Sequence, residues 1–263
     1  MPTAVIGASG KTGRAVSASL RARGEPVRPV GRDQWLRLEE SLAGCTAVYV
    51  IAPNLFPDEP DFVATVLRAA SAAGVERVGY HSVAAPFAPD LPHHLGKARA
   101  EDLVRRSCHT WSILQPCAYV QNFVPALRTA PRLTVPYDVD SRFGLVDLLD
   151  VADAAAAILL DGRHAWSTCE LGGPALVSVR DVARAASGVL DVDVPVHRVD
   201  EDEWFRDRPA LPALERAWLS AMFGYYDRHG LPVGSTALRA ILGREPHGLV
   251  GTLRRELAAL SPT

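Results

Sequence analysis

Lysine is almost missing from this chain. Of its 28 basic side chains, only Lys11 and Lys97 are lysine. Where any cation would serve, arginine has usually been placed, so the two lysines mark positions that need an ammonium as such. A basic excess is missing too. The formal net charge of −2 lacks the electrostatic footprint of nucleic-acid binding. The four cysteines, Cys45, Cys108, Cys117 and Cys169, show no CxxC and no finger-type spacing. They read as buried free thiols of a reducing compartment, with no metal site. No apolar run approaches the roughly 20 residues that cross a bilayer. The first residues lack a charged segment followed by an apolar stretch and a cleavage site, so a cytoplasmic location is expected.

What is present suits an ordinary globular protein: 263 residues, 48% hydrophobic and 22% charged. That length holds one large domain, or a domain with a smaller appended lobe. Short apolar runs alternate with helix-period stretches through the first half. Strands are expected at residues 3–7, 26–30, 47–52, 77–81 and 110–114, and helices at 12–23, 34–43, 61–73 and 97–107. Strands separated by helices imply right-handed crossovers and a parallel sheet covered on both faces, a doubly wound, Rossmann-type α/β fold. The pattern then changes. Short strands are expected at 142–146 and 168–171, and helices at 148–160 and 178–190, the last opened by Ser178 with Asp181 as a capping pair. From Asp200 the chain is helix-rich and aromatic. The division expected is a nucleotide-binding domain over 1–125, joined by returning strands from 142–172, and a smaller mixed substrate lobe over 126–263.

The stretch GASGKTGR, Gly7 to Arg14, follows the first strand directly and opens the first helix. A helix start presents free amides and the positive end of a dipole, which together favour an anion. Gly7 permits the tight turn, Gly10 lets a pyrophosphate approach the backbone, and Gly13 lets helix and strand pack closely. The spacing is GxxGxxG rather than GxGxxG, and its position between strand and helix is what points to a dinucleotide. After the second strand, VRPVGRDQ offers Arg32 as the first charged residue, with Asp33 behind it. An arginine there suits a 2′-phosphate, so NADP(H) is expected rather than NAD, with Lys11 and Arg14 adding positive charge nearby.

These features, together with AVYVIAPN, YHSVAAP, HHLGKARAEDLVRRS and WSILQPCAYVQNF, resemble the NmrA-like family of atypical short-chain dehydrogenases/reductases. The later RFGLVDLLDVADAAAAIL and CELGGPALVSVRDVA look like that family's second lobe. The resemblance implies a Rossmann fold binding NADP(H). It implies Gly7, Ser9, Gly10, Lys11, Thr12 and Gly13 on the pyrophosphate and Arg32 on the 2′-phosphate. It implies Ala52, Pro53 and Asn54 on the adenosine or ribose side, Ser82 near the nicotinamide ribose, Lys97 over that ribose, and Pro116 to Asn122 flanking the nicotinamide.

Ordinary short-chain dehydrogenases place a tyrosine four residues before the lysine. Here that position is His93. Three residues are therefore carried as catalytic candidates: Lys97 to orient the ribose, His93 as proton donor or cofactor contact, and Ser82 as hydrogen-bond donor to a carbonyl. His93 reads equally as a plain helix-start residue and Ser82 as a turn-capping one. By strand alternation Tyr80 and Ser82 share one face and His81 takes the other, as packing. The aromatics Trp204, Phe205, Trp218, Met222, Phe223, Tyr225 and Tyr226 read as lobe core, or as a roof over an apolar, aromatic substrate. The acidic run 200–203 reads as a solvated helix start. The leading reading is an NADPH-dependent reductase of a carbonyl, quinone or conjugated alkene on a small aromatic or polyketide-like molecule. A cofactor-sensing regulator without turnover, and a non-redox isomerase or cyclase, are the alternatives.

Overall fold

The computed structural model describes residues 1–258. Its elements run β1 (Thr3–Ile6), α1 (Lys11–Ala22), β2 (Val27–Val30), α2 (Leu38–Leu42), β3 (Ala47–Val50), α3 (Glu59–Ala72), β4 (Arg77–His81), α4 (Pro92–Arg105), β5 (Thr110–Pro116), α5 (Val124–Thr129), β6 (Leu133–Val135), α6 (Leu148–Leu160), β7 (Ser167–Leu171), α7 (Val179–Leu190), β8 (Val196–Arg198), α8 (Glu201–Arg206), α9 (Ala213–His229), α10 (Thr236–Leu242) and α11 (Leu249–Ala258). The main sheet has six strands in the order β2-β1-β3-β4-β5-β7. Every neighbouring pair in it is parallel. β1 and β3 are buried at all four positions, as strands covered by helices on both faces must be. The α/β Rossmann-type layout read from the sequence is therefore the observed one.

Two apolar layers flank the sheet. On one side α3, α2 and α4 bury Phe62, Val63, Val66, Leu42, Ala100 and Val104 against Val48, Val50 and Tyr80. On the other, α1 and α6 bury Val16, Leu20, Val151 and Ala155 against Val5, Tyr49 and Leu114. Because the chain leaves β1 for one edge and passes from β2 to the other side of β1, the strand order reverses between β1 and β3. Crevices that bind ligands in such sheets open at that reversal, beyond the carboxyl ends of the strands. A third core, built on Tyr137, Phe143, Phe205, Phe223 and Tyr226, holds the later elements together. β6 and β8 form a separate parallel pair there.

Several boundaries differ from expectation for physical reasons. The stretch 34–43 begins as a 3-10 helix, Arg32–Arg37, before α2, because the Gln34 side chain accepts the Gly31 amide at 2.8 Å and tightens the first turn. α4 starts at Pro92 rather than 97; proline has no N–H to leave unpaired in a first turn. Residues 142–146 form no ladder. Phe143 bridges Val177 and Leu231 singly, and Val146 bridges Tyr119. The segment crosses from the sheet to the lobe, pressed so close that a Cβ on Gly144 would sit 2.2 Å from the Val233 carbonyl oxygen. The capping pair forms as read: Ser178 Oγ accepts the Asp181 amide and Asp181 accepts the Ser178 amide. Cys45 and Cys117 are buried but Cys108 is exposed, so the thiols are not uniformly interior.

Candidate functional site

The crevice between β1 and β3 is built by glycines that no other residue can replace. Gly7 has φ +80°, and a Cβ there would lie 2.6 Å from the Ile51 carbonyl oxygen. A Cβ on Gly13 would lie 2.2 Å from the Gly7 carbonyl oxygen, so α1 can seat against the loop only with glycine at that position. The Gly10 amide donates to the Gly7 carbonyl at 3.0 Å and closes the turn. Gly10 is also the cap of α1 and brings no side-chain acceptor. The first amides of α1, at Lys11, Thr12 and Gly13, thus have no intrahelical partner and face an anion-favouring field.

Lys11 points across the crevice. Its Nζ donates to Asn122 Oδ1 at 2.9 Å and lies 5.2 Å from the Tyr119 ring centroid. Desolvation lowers the Lys11 pKa, and the Glu256 charge acts against that. Tyr119 OH meets His81 Nε2 at 3.0 Å, and Tyr49 OH meets His81 Nδ1 at 2.9 Å. Burial, then the Lys97 charge, lowers the His81 pKa to about 3, so the ring is neutral and donates from one nitrogen while accepting at the other. His81 is a packed, fully bonded group on the face opposite Tyr80 and Ser82.

Arg32 stands exposed at the head of its 3-10 helix, 6.0 Å from the Trp35 ring. No acidic partner holds it among the described residues. The Asp33 carboxylate turns back on the Gly31 backbone, and Ala52, Pro53 and Asn54 follow β3 on the neighbouring side. Lys11 bonds the neutral Asn122 amide and Arg14 the Ser9 carbonyl, so neither cation is paired with a carboxylate among the described residues.

Lys97 and Ser82 sit deeper than their sequence reading placed them. Lys97 Nζ is 2.7 Å from Glu59 Oε1, with Glu59 only 1% exposed, and 3.3 Å from the His81 carbonyl. Tyr80 OH donates to the same Glu59 oxygen at 2.6 Å, while Glu59 Oε2 has no partner among the described residues. Ser82 is 2% exposed and its hydroxyl donates to Glu101 Oε1. Gln115 reaches that same oxygen at 2.7 Å, and Arg105 takes Glu101 Oε2 at 2.8 Å. The Ser82 hydroxyl is therefore spent inside the sheet–α4 layer rather than offered to a carbonyl. The physical reason is strand alternation: Tyr80 and Ser82 point to the face that α3 and α4 cover.

His93 and His94 open α4. The His93 ring lies 5.4 Å from Trp218 of α9 with 30° between planes, and no hydrogen-bond partner is found for it among the described residues. Burial, then Lys97 and His94, lowers its pKa to about 3. His94 Nδ1 donates to the Ala85 carbonyl at 3.3 Å, leaving Nε2 as a buried acceptor without a partner among the described residues. Of the aromatic run, Phe205, Phe223 and Tyr226 fill the lobe core, while Trp218 covers His93. The acidic run is not merely solvated. Glu201 takes the Ser220 hydroxyl and Asp202 pairs with Arg216 at 3.1 Å.

One further carboxylate cluster gathers Asp147, Asp150 and His247. Arg255 reaches Asp147 Oδ2 at 2.8 Å and Arg244 reaches Asp150 Oδ1 at 2.8 Å. Two guanidinium groups supply positive charge there, and their ion pairs clamp Arg244 and Arg255 to the start of α6.

The NmrA-like family profile matches residues 33–240. The chain belongs to the NmrA-like family. No curated protein matches the chain. Among solved structures, this NmrA-like chain is similar to the NADPH-dependent quinone oxidoreductase QOR2 of Escherichia coli complexed with NADPH, with 20% identity and a TM-score of 0.81 over 97% of this chain and 99% of that one. It is similar to the Citrobacter sp. triphenylmethane reductase complexed with NADP(H), with 20% identity and a TM-score of 0.82 over 97% of this chain and 100% of that one. A nucleoside-diphosphate-sugar epimerase of Staphylococcus aureus shares 16% identity and a TM-score of 0.81, over 97% of this chain and 100% of that one. At these identities the likeness is one of fold. The family match begins just past the glycine loop and Arg32, so those residues stand on their own geometry.

Sequence reasoning missed Glu59, Glu101, Tyr49 and Glu256, and it gave Gln121 only within the stretch Pro116 to Asn122. For Glu101 a signal existed: His94, Lys97 and Glu101 recur at helical spacing on one face, and all three are buried. A titratable stripe on an inward face needs partners. Glu59 gave no such signal, because an acidic residue in a first turn is ordinary.

Proposed function

We propose that this NmrA-like chain is a cytoplasmic, NADPH-dependent reductase of a quinone, carbonyl or conjugated alkene on a small aromatic or polyketide-like molecule. The observation that carries the reading is the uncapped start of α1, held by glycines whose neighbours leave no space for a Cβ. In this reading the amides of Lys11, Thr12 and Gly13 hold a diphosphate, with Ser9 beside them. Arg32 holds the 2′-phosphate, and Ala52, Pro53 and Asn54 line the adenosine or ribose side. Asn122 flanks the nicotinamide end, opposite Lys11. When bound, the cofactor supplies a hydride. The fold relatives solved with NADPH and NADP(H) support that choice. In this reading residues 1–125 with the returning strand β7 (Ser167–Leu171) form the nucleotide side, and the rest of the chain from 126 onward forms the substrate side; residues 259–263 lie outside the described residues.

The protein's own proton chemistry favours a conjugated acceptor. With its pKa lowered to about 3, His93 is neutral at pH 7 and only a weak acid. It can hydrogen-bond an acceptor oxygen, but it cannot act there as an imidazolium donor. A quinone tolerates this, because conjugation stabilises its reduced oxyanion and water can protonate it. The Trp218 ring beside His93 offers an apolar wall suited to a flat substrate. Lys97 acts beneath this site through its pair with Glu59 rather than as a free ammonium.

That same pair favours a second reading, a cofactor-sensing regulator: the lysine is held by protein and the usual tyrosine is replaced by His93. Loss of NADPH absorbance with a panel of small quinones separates the two. Turnover that His93→Phe diminishes supports the reductase. Tight NADPH binding with no turnover on any quinone, carbonyl or enone supports the regulator instead.

A further inference from the structure

Val120–Asn122 is a single 3-10 turn following Tyr119, and Asn122 is the residue that meets Lys11 across the crevice. Such a turn has little intrinsic rigidity. Its neighbour Gln121 supplies it. Gln121 Nε2 donates to Asp147 Oδ1 at 2.8 Å and to Glu256 Oε1 at 3.0 Å, and its Oε1 accepts the Leu148 amide at 3.1 Å. Every polar atom of this buried side chain is used, and the partners come from two helices. Asp147 and Leu148 are the cap and first residue of α6. Glu256 belongs to α11, which lies beyond the stretch the family profile matches.

α11 is itself fastened at this point. Arg255 reaches Asp147 at 2.8 Å, Thr252 Oγ1 donates to Asp147 Oδ2 at 3.1 Å, and Arg128 of α5 donates to the Glu256 carbonyl. Burial would raise the Asp147 carboxyl, but the Leu149 amide, Gln121 and Arg255 together hold it below the usual carboxylate range. The carboxylate is thus ionised and can hold Gln121 throughout the neutral range.

We propose that Gln121 is a positioning residue for the nicotinamide half of the cofactor, and that through it α11 senses whether that half is bound. The proposal rests on the cofactor reading above. Gln121 touches neither Lys11 nor the glycine loop. It fixes the turn that aims Asn122, and Lys11 is the link from Asn122 to the diphosphate-binding helix start. Binding that orders Asn122 and Lys11 therefore also firms the grip on Glu256, and a loosened α11 weakens binding in return.

Two ligands distinguish positioning from general destabilisation. NADPH spans the whole crevice, whereas adenosine 2′,5′-bisphosphate occupies only the Arg32 side and the helix start. Gln121→Leu removes the three hydrogen bonds and leaves volume and charge nearly unchanged. Fluorescence titration and calorimetry should then show NADPH binding weakened roughly tenfold, with the bisphosphate bound within about twofold of wild type. Equal weakening of both ligands, or no weakening of either, overturns the proposal. If the variant does not fold, hydrogen exchange of the wild-type protein decides. Amides of residues 249–258 should exchange more slowly with NADPH than with the bisphosphate, and identical exchange overturns the coupling. A wild-type protein that binds neither nucleotide refutes the cofactor reading itself, and this proposal with it.

Discussion

Replacing Lys97 by methionine should unfold the protein far more readily than it alters any surface property. The side chain is buried in the second turn of α4, its ammonium is 2.7 Å from Glu59, and Glu59 is 1% exposed. In Lys97→Met the Glu59 carboxylate keeps only the Tyr80 hydroxyl among the described residues, where its Oε2 already lacks a partner. Removing one member of a buried pair costs about 3–5 kcal/mol, because the other charge is left desolvated. At about 2–4 °C per kcal/mol for a domain of this size, the midpoint of thermal unfolding should fall by roughly 6–20 °C. The double variant Glu59→Gln/Lys97→Met removes the stranded charge and should recover most of the loss, since neutral replacements of a buried pair are often tolerated. Urea unfolding of the four proteins, followed by far-ultraviolet circular dichroism, measures the cycle. A Lys97→Met protein within about 1 kcal/mol of wild type would refute the reasoning, since it would mean that water reaches Glu59 freely. The same arithmetic warns that lost turnover in a Lys97 variant counts as catalytic evidence only if stability is measured beside it.

Stability should also depend on pH through the buried histidines. His81, His93 and His94 have pKa values lowered by burial to about 3, 3 and 4. The unfolded chain takes up their protons at about pH 6.5 while the folded one does not, so stability is full above that pH and falls as pH drops toward 4, by up to about 1.4 kcal/mol per pH unit for each group. Urea midpoints at pH 7.5, 6 and 5 should decline in that order, and a flat profile would contradict the burial. Ser82→Ala should lower the unfolding midpoint, because the buried Glu101 loses one of its donors at a cost of about 1–3 kcal/mol, yet leave NADPH binding intact. Lost binding with unchanged stability would return Ser82 to the cleft. Gly13→Ala should weaken NADPH at least tenfold by forcing α1 off the loop. Gly188→Ala, on an exposed face of α7 with open space around it, should stabilise the protein by about 0.5–1 kcal/mol.

Local pattern carried much of this molecule. The strand–glycine–helix opening was legible because each feature lies within a dozen residues and follows from backbone geometry alone. The parallel sheet followed from apolar runs separated by helical ones. The scarcity of lysine marked Lys11 and Lys97, and each is held by a specific side-chain partner. The identity of those partners was not legible. Lys11 meets Asn122 from 111 positions away, and Lys97 meets Glu59 from 38 positions away. Such pairings are set by how helices stack across a sheet, which periodicity does not encode. Alternation along β4 correctly separated His81 from Tyr80 and Ser82, but it could not say that Glu101 stood ready to take the serine hydroxyl. The segment 142–146 misled for the opposite reason. Its apolar character is real, but it serves a crossing between two bodies of the fold rather than a ladder.

The account rests on the glycine loop holding a diphosphate while Arg32 selects a phosphorylated ribose. Calorimetric titration of the wild-type protein with NADPH and with NADH, each repeated on Arg32→Gln, tests this most directly. NADPH should bind at least tenfold more tightly than NADH, as one charge-assisted contact of about 1.5–3 kcal/mol allows. Arg32→Gln should erase that difference by weakening NADPH alone. Equal affinity for both nucleotides in the wild type, or no heat with either at millimolar concentration, would contradict it.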